Sequence, residues 1–238
     1  MVNRAQLVSF AALVALAAAA ISCGSINAPA GVNREMAASI PADTLILAGL
    51  NLDELRASPL YPKLPPVARA LAEPFRDAAY LLVASNGKDI AAIAPGPAVA
   101  GHKTGRGGAS DLLARAASLS SGKQIWIVAR GGVPLPVAGN AANLNRLLRN
   151  TEYAAIAARI DSGIEIEATA VARTAEAGRE FEENLRAILT LTAAASARQP
   201  DLVALIRSIR IRREDRTVHA ALSGGPDAAA SLLRLVAR

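Results

Sequence analysis

The sequence predicts an α+β fold, a largely antiparallel sheet with helices packed on one face. Three observations predict it. Two short apolar runs, residues 78–85 and 88–94, flank Asn86-Gly87, the pattern of a β-hairpin with a type I′ turn. Ile164-Glu165-Ile166-Glu167-Ala168-Thr169-Ala170 alternates with the period of a half-exposed strand. Phe181, Leu185, Ile188, Leu189 and Thr192 recur along one side of a helix that Thr174 caps and that runs to about residue 198.

The remaining elements run in order along the chain. Residues 34–39 suit one helical turn at the end of a small-residue tether, 23–39. Ile40-Pro41-Ala42-Asp43 leads into a strand over 44–50. Asn51 then caps a helix, with Glu54 placed for a capping box. Pro59, Pro62, Pro65 and Pro66 break the chain up to about residue 73 into short helical pieces. Pro95 and Pro97 end the hairpin's second strand, and residues 98–102 suit a further pairing segment. Ser110-Asp111 opens a helix to about 118, and residues 123–130, with Trp126, form a buried strand. Residues 140–160 suit a helix broken near Asn150, stopped by Ser162-Gly163. Pro200-Asp201 starts a short helix to 208. Residues 209–213 and 216–222 form a hairpin around Glu214-Asp215, and Gly225-Pro226 opens the last helix.

Strand, helix, hairpin, helix, strand over residues 44–130 resembles a ferredoxin-like unit. Asn51-Leu52-Asp53-Glu54-Leu55 is echoed by Asn143-Leu144-Asn145-Arg146-Leu147, so a duplicated unit is one arrangement and a single sheet without repetition is the other. The boundaries are then a first unit over 40–130, a Gly/Pro loop over 131–139 and a second unit over 140–238.

Composition narrows function. Hydrophobic residues make up 52% of the 238 residues but aromatics only 3%, which counts against sugar and single-stranded nucleic-acid binding, both dependent on aromatic faces. The formal charge of +6 is uneven: residues 151–197 are net acidic and both flanks are net basic. A basic surface can meet anionic lipid or an acidic polymer; the alternative is that arginine is simply the solubilising residue of an alanine-rich chain.

Candidate chemistry is sparse. His102 and His219 are the only histidines, too few and too distant for a zinc site, and no Gly-x-Ser-x-Gly elbow occurs. No metal, cofactor or catalytic group is therefore expected. The glycine-rich stretch 101–110 carries Lys103 and Arg106 before a helix start, which suits an anion, yet it lacks the ending of a phosphate-binding loop; a plain surface loop is the alternative. Glu165 and Glu167 share a strand face and suit its wet side. Arg207, Arg210, Arg212, Arg213 and Arg216 form the densest basic cluster. Ile209 and Ile211 claim the inner side there, so Arg210 and Arg212 are expected outside, as an anion or partner surface or as an ordinary solvated face.

The first residues are more specific. Arg4 precedes an apolar run over 7–21, then Ala20-Ile21-Ser22-Cys23-Gly24, with Cys23 the only cysteine. The run is short and alanine-rich, closer to a signal peptide's apolar core than to a spanning helix. The segment resembles a bacterial lipoprotein signal. The departures are Ala20, where that family usually has leucine, and Ser22, where it usually has glycine or alanine. An ordinary secretory signal or an uncleaved anchor are the alternatives. The resemblance implies removal of residues 1–22, lipidation of Cys23 and attachment to a membrane of the bacterial cell envelope. Gly24, not Asp, favours the outer membrane where one exists. Ile40-Pro41-Ala42-Asp43 before a strand is also similar to a pattern in uncharacterised bacterial envelope proteins, and it implies no activity. The expectation is a non-enzymatic envelope lipoprotein that serves as a structural or interaction module, with an unknown envelope protein or anionic polymer as partner and no nucleic acid. The alternative is a binding lipoprotein with a small or lipidic ligand in an apolar groove.

Overall fold

The computed structural model of the chain describes residues 28–63, 73–95, 108–119, 121–132 and 148–229. The elements are helix α1 (Arg34–Ala38), strand β1 (Ile46–Asn51), α2 (Leu52–Ala57), the hairpin β2 (Tyr80–Ser85) and β3 (Ile90–Ile93), α3 (Ser110–Leu119), β4 (Ile125–Arg130), β5 (Thr151–Ile160), β6 (Ile164–Ala172), α4 (Ala175–Ala195), α5 (Pro200–Arg207), β7 (Arg210–Glu214) and β8 (Thr217–Gly224). The strands form one eight-stranded sheet in the order β3-β2-β1-β4-β5-β6-β8-β7, antiparallel throughout. The fold is therefore α+β on an antiparallel sheet.

Its strand order is not that of a ferredoxin-like unit. That unit inserts a strand between the two joined by its first helix. Here β1 lies directly against β2 and antiparallel to it, with α2 and residues 58–79 between them in sequence. The two halves also differ in connection: the outermost strand β3 follows its inner neighbour β2, whereas the outermost β7 precedes β8. Pairing of β4 with β5 runs from Ile125↔Ala158 to Arg130↔Tyr153, so the sheet is continuous across the expected 131–139 boundary.

The helices divide between the two faces, which corrects the expectation of a single covered face. Val128 pairs with Ala155 and Trp126 with Ala157. These residues, with Leu47 and Leu82, pack under Met36 and Ala37 of α1 and Leu112, Leu113 and Ala116 of α3. Ala154, one residue away on β5, points to the other face. There it lines up with Ala170 and Val218 under Phe181, Leu185 and Ile188 of α4. The crossover lies in β6: Glu165, Glu167 and Thr169 would make a poor floor for a helix on the first face, while Ile164, Ile166 and Ala168 make an apolar floor on the second. Met36 and Ala37 being core residues also means that the expected tether does not extend through 39.

Three local corrections have clear causes. Residues 151–160 are strand, not helix. Alanine permits either state, and strands on both sides supply a ladder for every backbone group. The β2–β3 loop is four residues long, 86–89, and only Gly87 takes a positive φ, +89°, so it is not a type I′ turn. Instead, Asn86 Oδ1 accepts from the backbone N–H of Lys88 and Asp89 at 3.0 and 2.8 Å. At α2, Asn51 Oδ1 caps Glu54 N at 3.2 Å, but Asn51 N donates to the Gln124 carbonyl, so the sheet takes the place of the reciprocal half of the capping box. Thr174 caps α4 as expected, accepting from Ala177 N at 3.1 Å.

Two substitutions test this packing. Gly49→Ala puts a Cβ into the Trp126 indole, which is fully buried and has no room to retreat; the expected loss is about 1–3 kcal/mol in urea unfolding followed by Trp126 fluorescence. Phe181→Ala removes the ring that seats α4 and is expected to cost about 3 kcal/mol, the low end for a buried phenylalanine because 8% of it is exposed. Circular dichroism at the helix band reads that loss, and an unchanged midpoint would contradict the packing.

Candidate functional site

Cys23, Lys103 and Arg106 lie outside the described residues. Arg210 and Arg212 lie exposed on the outer side of β7, opposite Ala221 and His219 of β8. The surrounding face is polar and mixed in sign. Lys123 reaches Glu165 and Glu167 at 3.3 and 3.0 Å, and Arg159 also pairs with Glu165. Thr169 Oγ1 and His219 Nδ1 are 3.1 Å apart. The five-arginine cluster is partly neutralised: Arg212 pairs with Glu214 at 2.8 Å, Arg213 with Glu182 at 3.2 Å and Arg216 with Glu152. Arg207 and Arg210 have no such partner among the described residues. The paired carboxylates of β6 are thus tied up in ion pairs, and this face presents charge of both signs.

Sequence reasoning missed a cleft of about 830 Å³ between α4 and α5. On α4 its wall is Arg186, Leu189, Thr190, Ala193 and Ala194, with Ala197 in the turn beyond, and on α5 it is Pro200, Val203, Ala204 and Arg207. Each set steps by three or four residues, so each is one stripe of its helix. Ile206, Ile209 and Ile211 form the floor. The signal was present in the sequence: a second stripe on the long helix, beside the core-facing one, made of small residues instead of large ones.

The second sheet face also carries an uncovered strip. Ala92, Val83, Ala48, Ile127, Ile156 and Ala168 lie side by side across six strands. Ile127 is 38% exposed and Ile156 44%. A second crevice, about 590 Å³, opens between the β5–β6 turn and residues 223–226, lined by Arg159, Asp161 and Glu165. Among the described residues no group of three metal-ligating side chains converges, and no helix is long and apolar enough to cross a membrane.

Comparison with protein-family models, with curated proteins and with solved structures gives one result. Nothing matches.

Beside the α4–α5 cleft, hydrogen bonds from Arg186 hold the Glu182 carboxyl below its ordinary range; two further shifts lie away from both clefts. Burial raises the Tyr80 phenol above its ordinary range, against the opposing effect of its bond to Trp126. Hydrogen bonds from Arg130, at 2.7 and 3.2 Å, hold the Asp111 carboxyl below its ordinary range. That pair fastens α3 to β4. A depressed carboxyl contributes stability that is present above the unfolded value, about 3.9, and is lost as pH falls through the folded value. Asp111→Asn should therefore lower stability at neutral pH while flattening its fall below about pH 4. Urea midpoints measured from pH 7 to pH 2 check this, and parallel curves for the two proteins would contradict it.

Proposed function

We propose that this chain is a lipid-anchored lipoprotein of the bacterial cell envelope whose body is a non-enzymatic interaction module. One structural observation supports the interaction reading: the apolar strip around Ile127 and Ile156 stays partly open to solvent. Contiguous exposed apolar surface of this kind marks contact surfaces. The location rests on the N-terminal resemblance, with Cys23 as the lipidated residue and the membrane as the first partner. Two or three acyl chains would hold it stably where one would not. An envelope protein or an anionic polymer is the expected second partner. A second reading, binding of a small or lipidic ligand, is favoured by the cleft between α4 and α5.

The test is the intact mass of protein extracted from membranes. The expected species begins at residue 23 and carries acyl mass, and Cys23→Ala abolishes both the added mass and the membrane fraction. A mature N-terminus without acyl mass overturns the anchor.

A further inference from the structure

The geometry points to the α4–α5 cleft as a binding site for a free fatty carboxylate, one alkyl chain between the two helices with its carboxylate at Arg207. This deepens the second reading above and rests on it.

The shape supports a single chain. The two walls are parallel stripes of two consecutive helices. The turn joining those helices, where Gln199 N donates to the Ser196 carbonyl at 2.8 Å, closes one end. From Arg186 to Ala194 the α4 wall runs about 12 Å, at 1.5 Å per residue. Alanines at 193, 194, 197 and 204 hold the walls back, and Ile206, Ile209 and Ile211 supply an apolar floor. The volume lies within the usual range of small-molecule sites.

The charge supports an anionic head. The lining contains two guanidiniums and no carboxylate. Both sit toward the end away from the closing turn, where a head group would emerge. Arg186 is already paired: its Nε and Nη2 donate to Glu182 Oε1 at 3.1 and 2.9 Å and its Nη2 to the Ile211 carbonyl at 2.8 Å, which leaves Arg207 as the group for the head. Arg207 is exposed and has no hydrogen-bond or ion-pair partner among the described residues. An unpaired guanidinium offers a planar fork that a carboxylate matches with two bonds. A cationic or neutral head would leave it unused.

The experiment titrates the full chain with monomeric decanoate by calorimetry, with decanol and decyltrimethylammonium as comparators of equal chain length. Vesicles of anionic phospholipid form a separate arm. The expected result is saturable binding of one decanoate per chain, with decyltrimethylammonium roughly tenfold weaker or more. Ala194→Phe and Ala204→Phe fill the cleft from opposite walls and should abolish binding. Arg207→Glu should weaken it roughly tenfold. All three positions are exposed, so wild-type unfolding midpoints are expected for the variants. Equal binding of decanoate, decanol and decyltrimethylammonium overturns the carboxylate assignment and leaves the groove reading standing. Decanoate binding that survives both phenylalanine variants overturns the site. Saturable binding of none of the three, or response to vesicles alone, overturns the inference and the ligand reading together.

Discussion

The Trp126 indole organises the first half of the molecule. It is fully buried, and its Nε1 donates to the Tyr80 hydroxyl at 2.6 Å, so the largest side chain of the core brings no unpaired polar atom with it. Space for the ring exists only because its cross-strand neighbours are Gly49 on one side and Ala157 on the other. Tyr80 makes a similar demand: a Cβ on Gly31 would strike its ring, and Gly31 itself holds a φ of +92°. Two large rings and two glycines thus fix how β1, β2 and β4 stack and where the chain before α1 must run. With so few aromatics in the chain, these two rings do the specifying that a richer core would spread over many.

The sheet joins the two halves, and a small cluster of Leu55 and Leu60 with Ile160, Ile164 and Ala229 also spans them. The two other cores lie on opposite faces. β5 serves both, Ala155 and Ala157 on one side and Ala154 on the other. Alanine suits that duty because helices on either face can approach closely without steric conflict. No described helix covers the polar residues of β6 and β8 on the first face, and Glu165 and Glu167 of β6 are met by ion pairs with Lys123 and Arg159. The Arg159–Glu165 pair is exposed and worth little stability by itself, whereas the Lys123 side chain is only 11% exposed between its two carboxylates. The effect of these pairs is on solubility of an otherwise alanine-rich surface.

Sequence signals that act over a few residues were legible. The hairpin at Asn86-Gly87, the capped helix from Thr174, the Arg210–Arg212 outer face and the buried strand of Trp126 all depend on local spacing or on a turn residue. Residues 151–160 were not legible, because an alanine-rich segment has weak periodicity and its neighbours on both sides decided its state. The division of helices between faces was hidden for the same reason: it depends on which strands lie side by side, and spacing within one strand does not carry that. The cleft was half visible. Its alanines were in the sequence, but an absence of bulk becomes a cavity only when a second helix is set opposite.

The strand order gives the molecule two unlike ends. At one end β7 presents Arg210, Arg212, Arg213 and Glu214, charges that discourage any further strand from adding. At the other, among the described strands, β3 ends the sheet with Ile90-Ala91-Ala92-Ile93, four uncharged residues, and Ile90 is 65% exposed. Among the described strands, addition of a further strand would thus be directional: disfavoured at the arginine end and permitted at the isoleucine end. Pairing through that one end alone joins two copies and goes no further.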